Sequence, residues 1–447
     1  MRFYLLLISI FIALLPLSQA ATLVVSSKGD DYSGIQDAID AAAAGDTILV
    51  DGGTYRENLN VTKKLTLTGM KSPVVSGGFW GSAITISADG VTLEGFEVKD
   101  SGRCDKKGDP LIPGAGIRVN SKDNIIRFNH VYFNCCGIFV SDNSSNNSIN
   151  YNEVKSNDEY GIYLLNSSDN IIFRNDAKSN KYGIHLVNSS DNVIYGNDAS
   201  RNVKDASHTE HGIYLLRSRS NVIYDNDAEF NNGDGIHLRY SVGNNVSENN
   251  ASLNERFGIS LHGSMDNLIS GNTIFENEMI GIQLESKCSN NTISNNSVQK
   301  NRWGITLWEY CNNNKIVGNT AKDNDKYGIY LFASNENNTI TSNTARGCTD
   351  AGISILPSNA GNIIYGNNFV DNGITHDASD NNGTNIWDDG TAGNYYSDFV
   401  CTDGDGDGIC DEEYPIPGNS GAVDRYPLAS PSSAQTMNPQ GPRPGTG

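Results

Sequence analysis

Basic residues are scarce in this chain. Thirty-two Lys and Arg stand against 52 Asp and Glu, a net charge of -20 over 447 residues. Nucleic acid and anionic membrane are therefore poor partners, and cations are favoured ones. Cysteine is scarce as well: eight residues are far too few to scaffold a fold of this length. No apolar run approaches the roughly 20 residues that span a bilayer. The longest runs from Phe3 to Leu15, between Arg2 and Ser18-Gln19-Ala20, which is the charge, core and small-residue order of a secretory signal. We expect residues 1–20 to be removed, leaving a secreted or extracytoplasmic chain, at the cell surface or in the periplasm, with no transmembrane anchor. At 37% hydrophobic residues plus 46 Gly, the composition supports a packed core and is not that of a disordered chain.

Asparagine is in excess, with 57 residues. It is favoured at turns and where a backbone takes positive φ, so the chain turns often, and it does so periodically. Gly-Ile pairs fall at Gly116, Gly137, Gly161, Gly183, Gly212, Gly235, Gly258, Gly281, Gly304, Gly328 and Gly352. Each opens a Gly-Ile-x-Leu-like strand of period two. A second strand bounded by Asn follows, from Asn124 to Asn129 in the first unit through Asn362 to Asn367 in the last, and then a short third strand marked by residues such as Val154, Ala177 and Phe369. Strands with one apolar face cannot bury it alone; stacking like units buries a continuous column. The predicted fold class is all-β, a single-stranded parallel β-helix, with corner Asn side chains laddering from coil to coil. Sequons on the ladder, such as Asn245 and Asn291, are expected to face inward.

An N-terminal capping helix is also legible. Ser33 and Gln36 read as a capping box before Ile35, Ala38, Ile39 and Ala42 on one face, and Gly45 stops the turn. The expected order is a signal peptide over 1–20, a strand and capping helix over 21–45, the solenoid over 46–375, an acidic cap over 376–429 and a flexible Pro/Gly-rich tail over 430–447.

With these features together, the opening "GDTILVDGGTYRENLNV", the Gly-Ile repeats and the tail "NIWDDGTAGNYYSDF", "DGDGDGICDEEYPI" and "DRYPL" resemble right-handed β-helix proteins of the NosD type. That group is related to carbohydrate-binding and sugar-hydrolysing β-helices. The resemblance implies a right-handed, pectate-lyase-like solenoid. It also implies two functions, polysaccharide recognition and extracytoplasmic copper handling.

The residues two and four after each Gly should point outward and stack. The first column contains Tyr163, His185, Tyr214, His237 and Ser260; the second contains Arg239, His262, Glu285, Trp308 and Phe332. Five of the seven His, including His208 and His211, lie between 185 and 262, beside the one long interval, whose excess is "VKDASHTEH". The sharp reading is a site for a uronic-acid polymer. In it His237 or His262 is the acid or base, Arg239 holds the carboxylate, Glu285 orients His262 and Tyr214 donates to the leaving oxygen. His185 and His211 would contact substrate, and Trp308 and Phe332 would stack on sugars. Lyase or C5-epimerase chemistry fits better than hydrolysis, since Glu285 has no evident carboxylate partner. A polysaccharide-binding face without turnover stands ahead of this reading, and a copper site from His185, His208, His211 and His237 stands behind it. A surface ladder with no ligand is the bland alternative. The column just before each Gly, which includes His211, Asp234 and Trp303, reads as packing.

From Asp371 to Asp424 the chain has 13 acidic residues and no basic one. Asp403, Asp405 and Asp407 alternate before Gly408, with Asp411 following, as a structural Ca2+ loop requires. Cys401 and Cys410 flank it as a possible staple. Cys288 and Cys311, stacked in adjacent coils, are expected to form a disulfide, and Cys104 to pair with Cys135 or Cys136. Cys348 is left over. A monomer is expected.

Overall fold

Each Gly-Ile segment forms a strand whose Ile and Leu are fully buried and whose neighbours in the sheet are the same segments of the coils before and after. Eleven such strands, from Ala115–Val119 to Ala351–Ile355, make up most of a 14-stranded parallel sheet. The Asn-bounded strands form a second, 15-stranded parallel sheet. The third face is a 5-stranded sheet at one end and a 6-stranded sheet at the other. Between them it thins to single bridges, from Glu153 with Asp176 to Asn250 with Thr273. The molecule is thus a right-handed parallel β-helix of the pectate-lyase-like kind. This computed structural model describes residues 20–26, 28, 31–104, 114–203, 210–373 and 376–432; the expected signal sequence, His208 and most of the expected tail lie outside them. No helix among the described residues is long and apolar enough to cross a membrane.

Asn ladders fix the corners. Asn124 Nδ2 donates to Asn147 Oδ1 at 2.8 Å, Asn147 to Asn170 at 3.0 Å, and so on to Asn362 and Asn385 at 2.9 Å. Each rung also accepts the backbone N–H of the rung before it, as Asn170 does from Asn147 at 3.0 Å. A second ladder runs from Asn129 to Asn394, and a third starts at Asn134. The rungs are buried amides with their donors and acceptors used, which is the condition for burying them at all. The left-handed residue at these corners is not the rung but its predecessor. Asp169, Asp191 and Ser220 have φ of 59°, 57° and 54°, just before Asn170, Asn192 and Asn221. Asn291 is a rung, as expected. Asn245 is not: it begins the strand Asn245–Ser247 beside the rung Asn244 and is only half-buried.

The repeated Gly is required by close approach. A Cβ on Gly183 would stand 2.6 Å from the carbonyl oxygen of Gly212 in the next coil and 2.8 Å from Asn202 Nδ2.

The capping helix spans Ile35–Ala41 and buries Ile35, Ala38 and Ile39. Its expected capping box is absent. Glu57, from the following coil, accepts the N–H groups of Ile35 and Gln36 at 3.1 and 2.9 Å, and one carboxylate supplies two acceptors where a hydroxyl supplies one. The Gln36 side chain goes instead to Asp40 and Asn60.

Disulfides join Cys104 to Cys135 and Cys401 to Cys410. The expected Cys288–Cys311 bond is not formed; both thiols are free and buried. They occupy rungs of a further ladder that begins with Ser residues, in which Ser189, Ser218 and Ser241 precede them and Asn335 follows. Cys288 Sγ donates to the carbonyls of Leu261 and Glu285, and Cys311 Sγ to that of Trp308. Stacked strands hold Cα–Cβ bonds parallel, so the Cβ atoms stay about one strand spacing, ~4.8 Å, apart rather than converging to the ~3.8 Å of a disulfide.

Candidate functional site

The outer side of the 14-stranded sheet carries both predicted columns in the expected register. Tyr163 pairs with His185, His185 with Tyr214, Tyr214 with His237 and His237 with Ser260. In the adjoining column Arg239 pairs with His262, His262 with Glu285, Glu285 with Trp308 and Trp308 with Phe332. Alternation along each strand sends Ile and Leu inward and these residues outward.

At the centre is Asp234, from the column read as packing. It is completely buried, yet it lies on the outer side of the sheet. Its Oδ2 is 2.9 Å from His237 Nδ1 and accepts the Ser260 hydroxyl at 2.6 Å. Arg256 Nη1 is 3.8 Å from Oδ1. Burial pushes the Asp234 carboxyl up, but the hydrogen bond with His237 and the Arg256 guanidinium act against it, and the group is held below the ordinary carboxylate range. Ser260 Oγ is also 2.5 Å from His237 Nδ1; because an ionised carboxylate only accepts, Asp234 favours the hydrogen on Nδ1, and Nε2 then keeps its lone pair. The His237 side chain is 15% exposed, enough to present that lone pair.

His211 is tied differently. Its Nδ1 accepts the backbone N–H of Asp234 at 2.9 Å, so its hydrogen is on Nε2. Burial lowers its pKa to about 3 and keeps it neutral. His185 is lowered to about 3 by burial as well. It lies in an aromatic stack, 4.6 Å from Tyr214 and 5.3 Å from Tyr163 between ring centroids, with neither ring nitrogen hydrogen-bonded. Both are buried, as is Tyr214: His185 packs in the aromatic stack, and His211 accepts from the Asp234 backbone. Tyr214 is held protonated by burial, partly offset by the neighbouring Arg239 guanidinium. His262 is lowered by burial, with Glu285 opposing; His262 Nδ1 and Glu285 Oε2 are 3.8 Å apart. Trp308 and Phe332 meet at 4.8 Å with planes tilted by 59°, which leaves ring face uncovered.

The structure thus brings Tyr214, His237 and Arg239 together, and pairs His262 with Glu285 and Trp308 with Phe332. Asp234, Ser260 and Arg256 are the residues that sequence reasoning missed. A signal existed: Asp234 is the only acidic residue in the pre-Gly column of aromatic, aliphatic and His side chains.

His211, Asp234 and His237 offer donor atoms within 4.8 Å of one another, a set that suits copper or zinc. Their lone pairs are partly engaged, although Asp234 Oδ1 has no hydrogen-bond partner. His211 Nδ1 and Asp234 Oδ2 are engaged, and the two imidazoles stack at 4.9 Å with planes only 9° apart. These residues form a hydrogen-bonded His–Asp–His group, and its use as a chelate would require His211 Nδ1 to release the Asp234 N–H.

In the C-terminal cap, Asp403, Asp405 and Asp407 gather their carboxylates. Asp411 instead accepts the Gly404 N–H at 3.0 Å and pins the loop.

Among solved structures the chain is similar to the Dettilon tailspike protein, at 17% identity and a TM-score of 0.47, covering 74% of this chain but only 62% of the tailspike. It is also similar to the A-module of an Azotobacter vinelandii mannuronan C-5 epimerase, at 17% identity and a TM-score of 0.43, covering 69% of this chain and 92% of the module. A mutant of the periplasmic alginate epimerase AlgG gives 17% identity and a TM-score of 0.43, with 77% of this chain and 84% of that one covered. No curated protein matches. The family model described as "Periplasmic copper-binding protein (NosD)" matches residues 114–227 and 207–401, and the chain therefore belongs to the NosD family.

Proposed function

We propose that this is an extracytoplasmic β-helix that binds an acidic polysaccharide along the outer side of its 14-stranded sheet and moves protons at a uronate held there. His237 Nε2 is the base, Tyr214 is the acid, and Arg239 neutralises the uronate carboxylate, which stabilises charge as it develops at the adjacent carbon. Trp308 and Phe332 form a stacking platform further along the same polymer, and His262 with Glu285 contacts the sugars between. The observation that carries this reading is Asp234. A buried carboxylate is costly where it only covers a sheet, and here it fixes the tautomer of one partly exposed imidazole. Proton NMR of neutral and uronic polysaccharides with the protein in heavy water tests it, because alkene protons, new reducing ends and deuterium at C5 report different reactions. Turnover that is lost in His237→Ala supports the site; line broadening without turnover leaves a binding face alone; no effect on any polymer removes the reading.

Copper handling is the second reading, favoured by the family's description and by the clustered donors of His211, Asp234 and His237. It requires His211 to give up the Asp234 N–H and its ring to turn. Copper that survives dialysis and is lost in both His211→Ala and His237→Ala would select it. The disulfides suit an oxidising compartment. A structural Ca2+ on Asp403, Asp405 and Asp407 belongs to the same proposal, with a Ca2+-dependent melting temperature as its test.

A further inference from the structure

Tyr214 and His237 stand in one column, on successive coils, on one side of one sheet. Their ring centroids are 5.0 Å apart. A pyranose ring lying between two planar groups needs contact distances of about 3.5–4 Å on each side, roughly 7–8 Å in all. No sugar fits between these two rings, so both must address a bound sugar from the same side. Their flanks support this arrangement: Tyr214 stacks on His185 with planes 10° apart, Ser260 meets His237 from the next coil, and Asp234 meets it within its own coil.

The consequence is stereochemical. Epimerisation at C5 removes a proton from one face of the sugar and returns one to the other face, which two groups on one side cannot do. β-Elimination removes the C5 proton and expels O4, and one-sided groups serve it only when that hydrogen and O4 are syn. They are syn in 1,4-linked uronates with an equatorial O4, the gluco and manno configurations, and anti in the galacto and gulo configurations. Resting on the uronate reading above, we propose that this site is a syn-eliminating lyase for 1,4-linked uronans of gluco or manno configuration.

The step balances without a co-reactant. His237 Nε2 takes the C5 proton, and the C–H electron pair becomes the C4=C5 double bond, with Arg239 on the conjugated carboxylate. The C4–O4 bond breaks, and O4 takes the Tyr214 hydroxyl proton. The imidazolium proton then returns to the phenolate through water. The chain is cut into one piece with a new reducing end and one with an unsaturated uronate at its non-reducing end, and no water is consumed.

The test incubates the full-length mature protein with mannuronan, glucuronan, polygalacturonate and polyguluronate in heavy water, following the ultraviolet absorbance of the conjugated double bond and deuterium at C5. We expect elimination of mannuronan or glucuronan about tenfold or more faster than of the other two, with no C5 inversion. Equal or faster elimination of polygalacturonate or polyguluronate, or inversion at C5, overturns this proposal while leaving the uronate site standing. Silence on all four polymers overturns this proposal and proton transfer at the site together, leaving at most a binding face. Tyr214→Phe, which keeps the ring and its stacking, should cut double-bond formation about 10²-fold or more while C5 deuterium exchange with retention persists; loss of both signals together, in a folded variant, counts against Tyr214 as the acid.

Discussion

Asn394 gives both its backbone N–H and its side-chain amide to a single carboxylate oxygen, Asp424 Oδ2, at 2.7 and 3.2 Å. This is where the second Asn ladder ends. The other two end the same way: Asn385 donates to Asp380, and Asn372 to Asp377. In these three ladders the Asn rungs donate toward the C-terminal side, so the last rung leaves donors with no further amide to accept them. An acceptor-only carboxylate closes the row, as an acidic side chain does at the N–H end of a helix.

Closing the ladders in a buried place has a pH cost. Burial raises the Asp424 pKa to about 6 and raises Asp377 and Asp380 as well. The folded state then binds more protons than the unfolded one between the unfolded carboxylate pKa of about 4 and the folded value, so stability falls as pH rises through that window and levels off above it. We expect the cap to lose on the order of 2 kcal/mol from Asp424 between about pH 4 and pH 7, read as falling melting temperature across buffers. Asp424→Asn should flatten the curve; an unchanged slope would mean that Asp424 is not its source.

Within a ladder the rungs are not interchangeable with their neighbours. Asn226 accepts from Asn197 twice and donates to Ile194, Tyr224 and Asn249. Asn226→Ala should cost roughly 3–5 kcal/mol, since it strands several buried polar groups. Asp225→Gly, one residue earlier at φ 54°, should change stability by less than about 1 kcal/mol, because Gly suits that conformation. Chemical denaturation of both variants checks the contrast; similar losses would refute it.

Much of this was legible in the sequence. A fixed period with Gly-Ile and Asn at constant offsets sets coil, register and ladder at once, so the column from Tyr214 through His237 to Ser260 and the one from Arg239 to Phe332 could be written from spacing alone. What spacing does not encode is where a side chain's hydrogen goes. Glu57 capping the helix from another coil, Cys288 and Cys311 acting as ladder rungs, and left-handed φ falling before each Asn all depend on partners distant in sequence. Asp234 is the exception in its column: it is buried like its neighbours, but its hydrogen bonds to His237 and Ser260 cannot be read from a column average.

On the proposed function, Trp308 serves binding rather than proton transfer. It stands two coils beyond the coil of His262, after Glu285, and touches no member of the Asp234 group. Trp308→Ala should raise KM about tenfold with kcat nearly unchanged, the signature of an interaction made equally in ground and transition states. A fall in kcat with KM preserved would place it in the chemistry instead.

Asp234 separates a working site from a decorated surface. In Asp234→Asn the amide can still fill the space, but its Nδ2 is a donor. If it faces His237 Nδ1, the ring must move its hydrogen to Nε2 to accept, and the base is lost. Turnover should fall by about 10²–10⁴. Stability at neutral pH should fall modestly, because the fold favours the ionised carboxylate that the amide replaces. Nitrogen-15 NMR of the His237 imidazole should show the hydrogen moving from Nδ1 to Nε2. If the variant instead melts several degrees lower and its activity falls only in step with the folded fraction, Asp234 is a structural carboxylate and the oriented-imidazole site has no support.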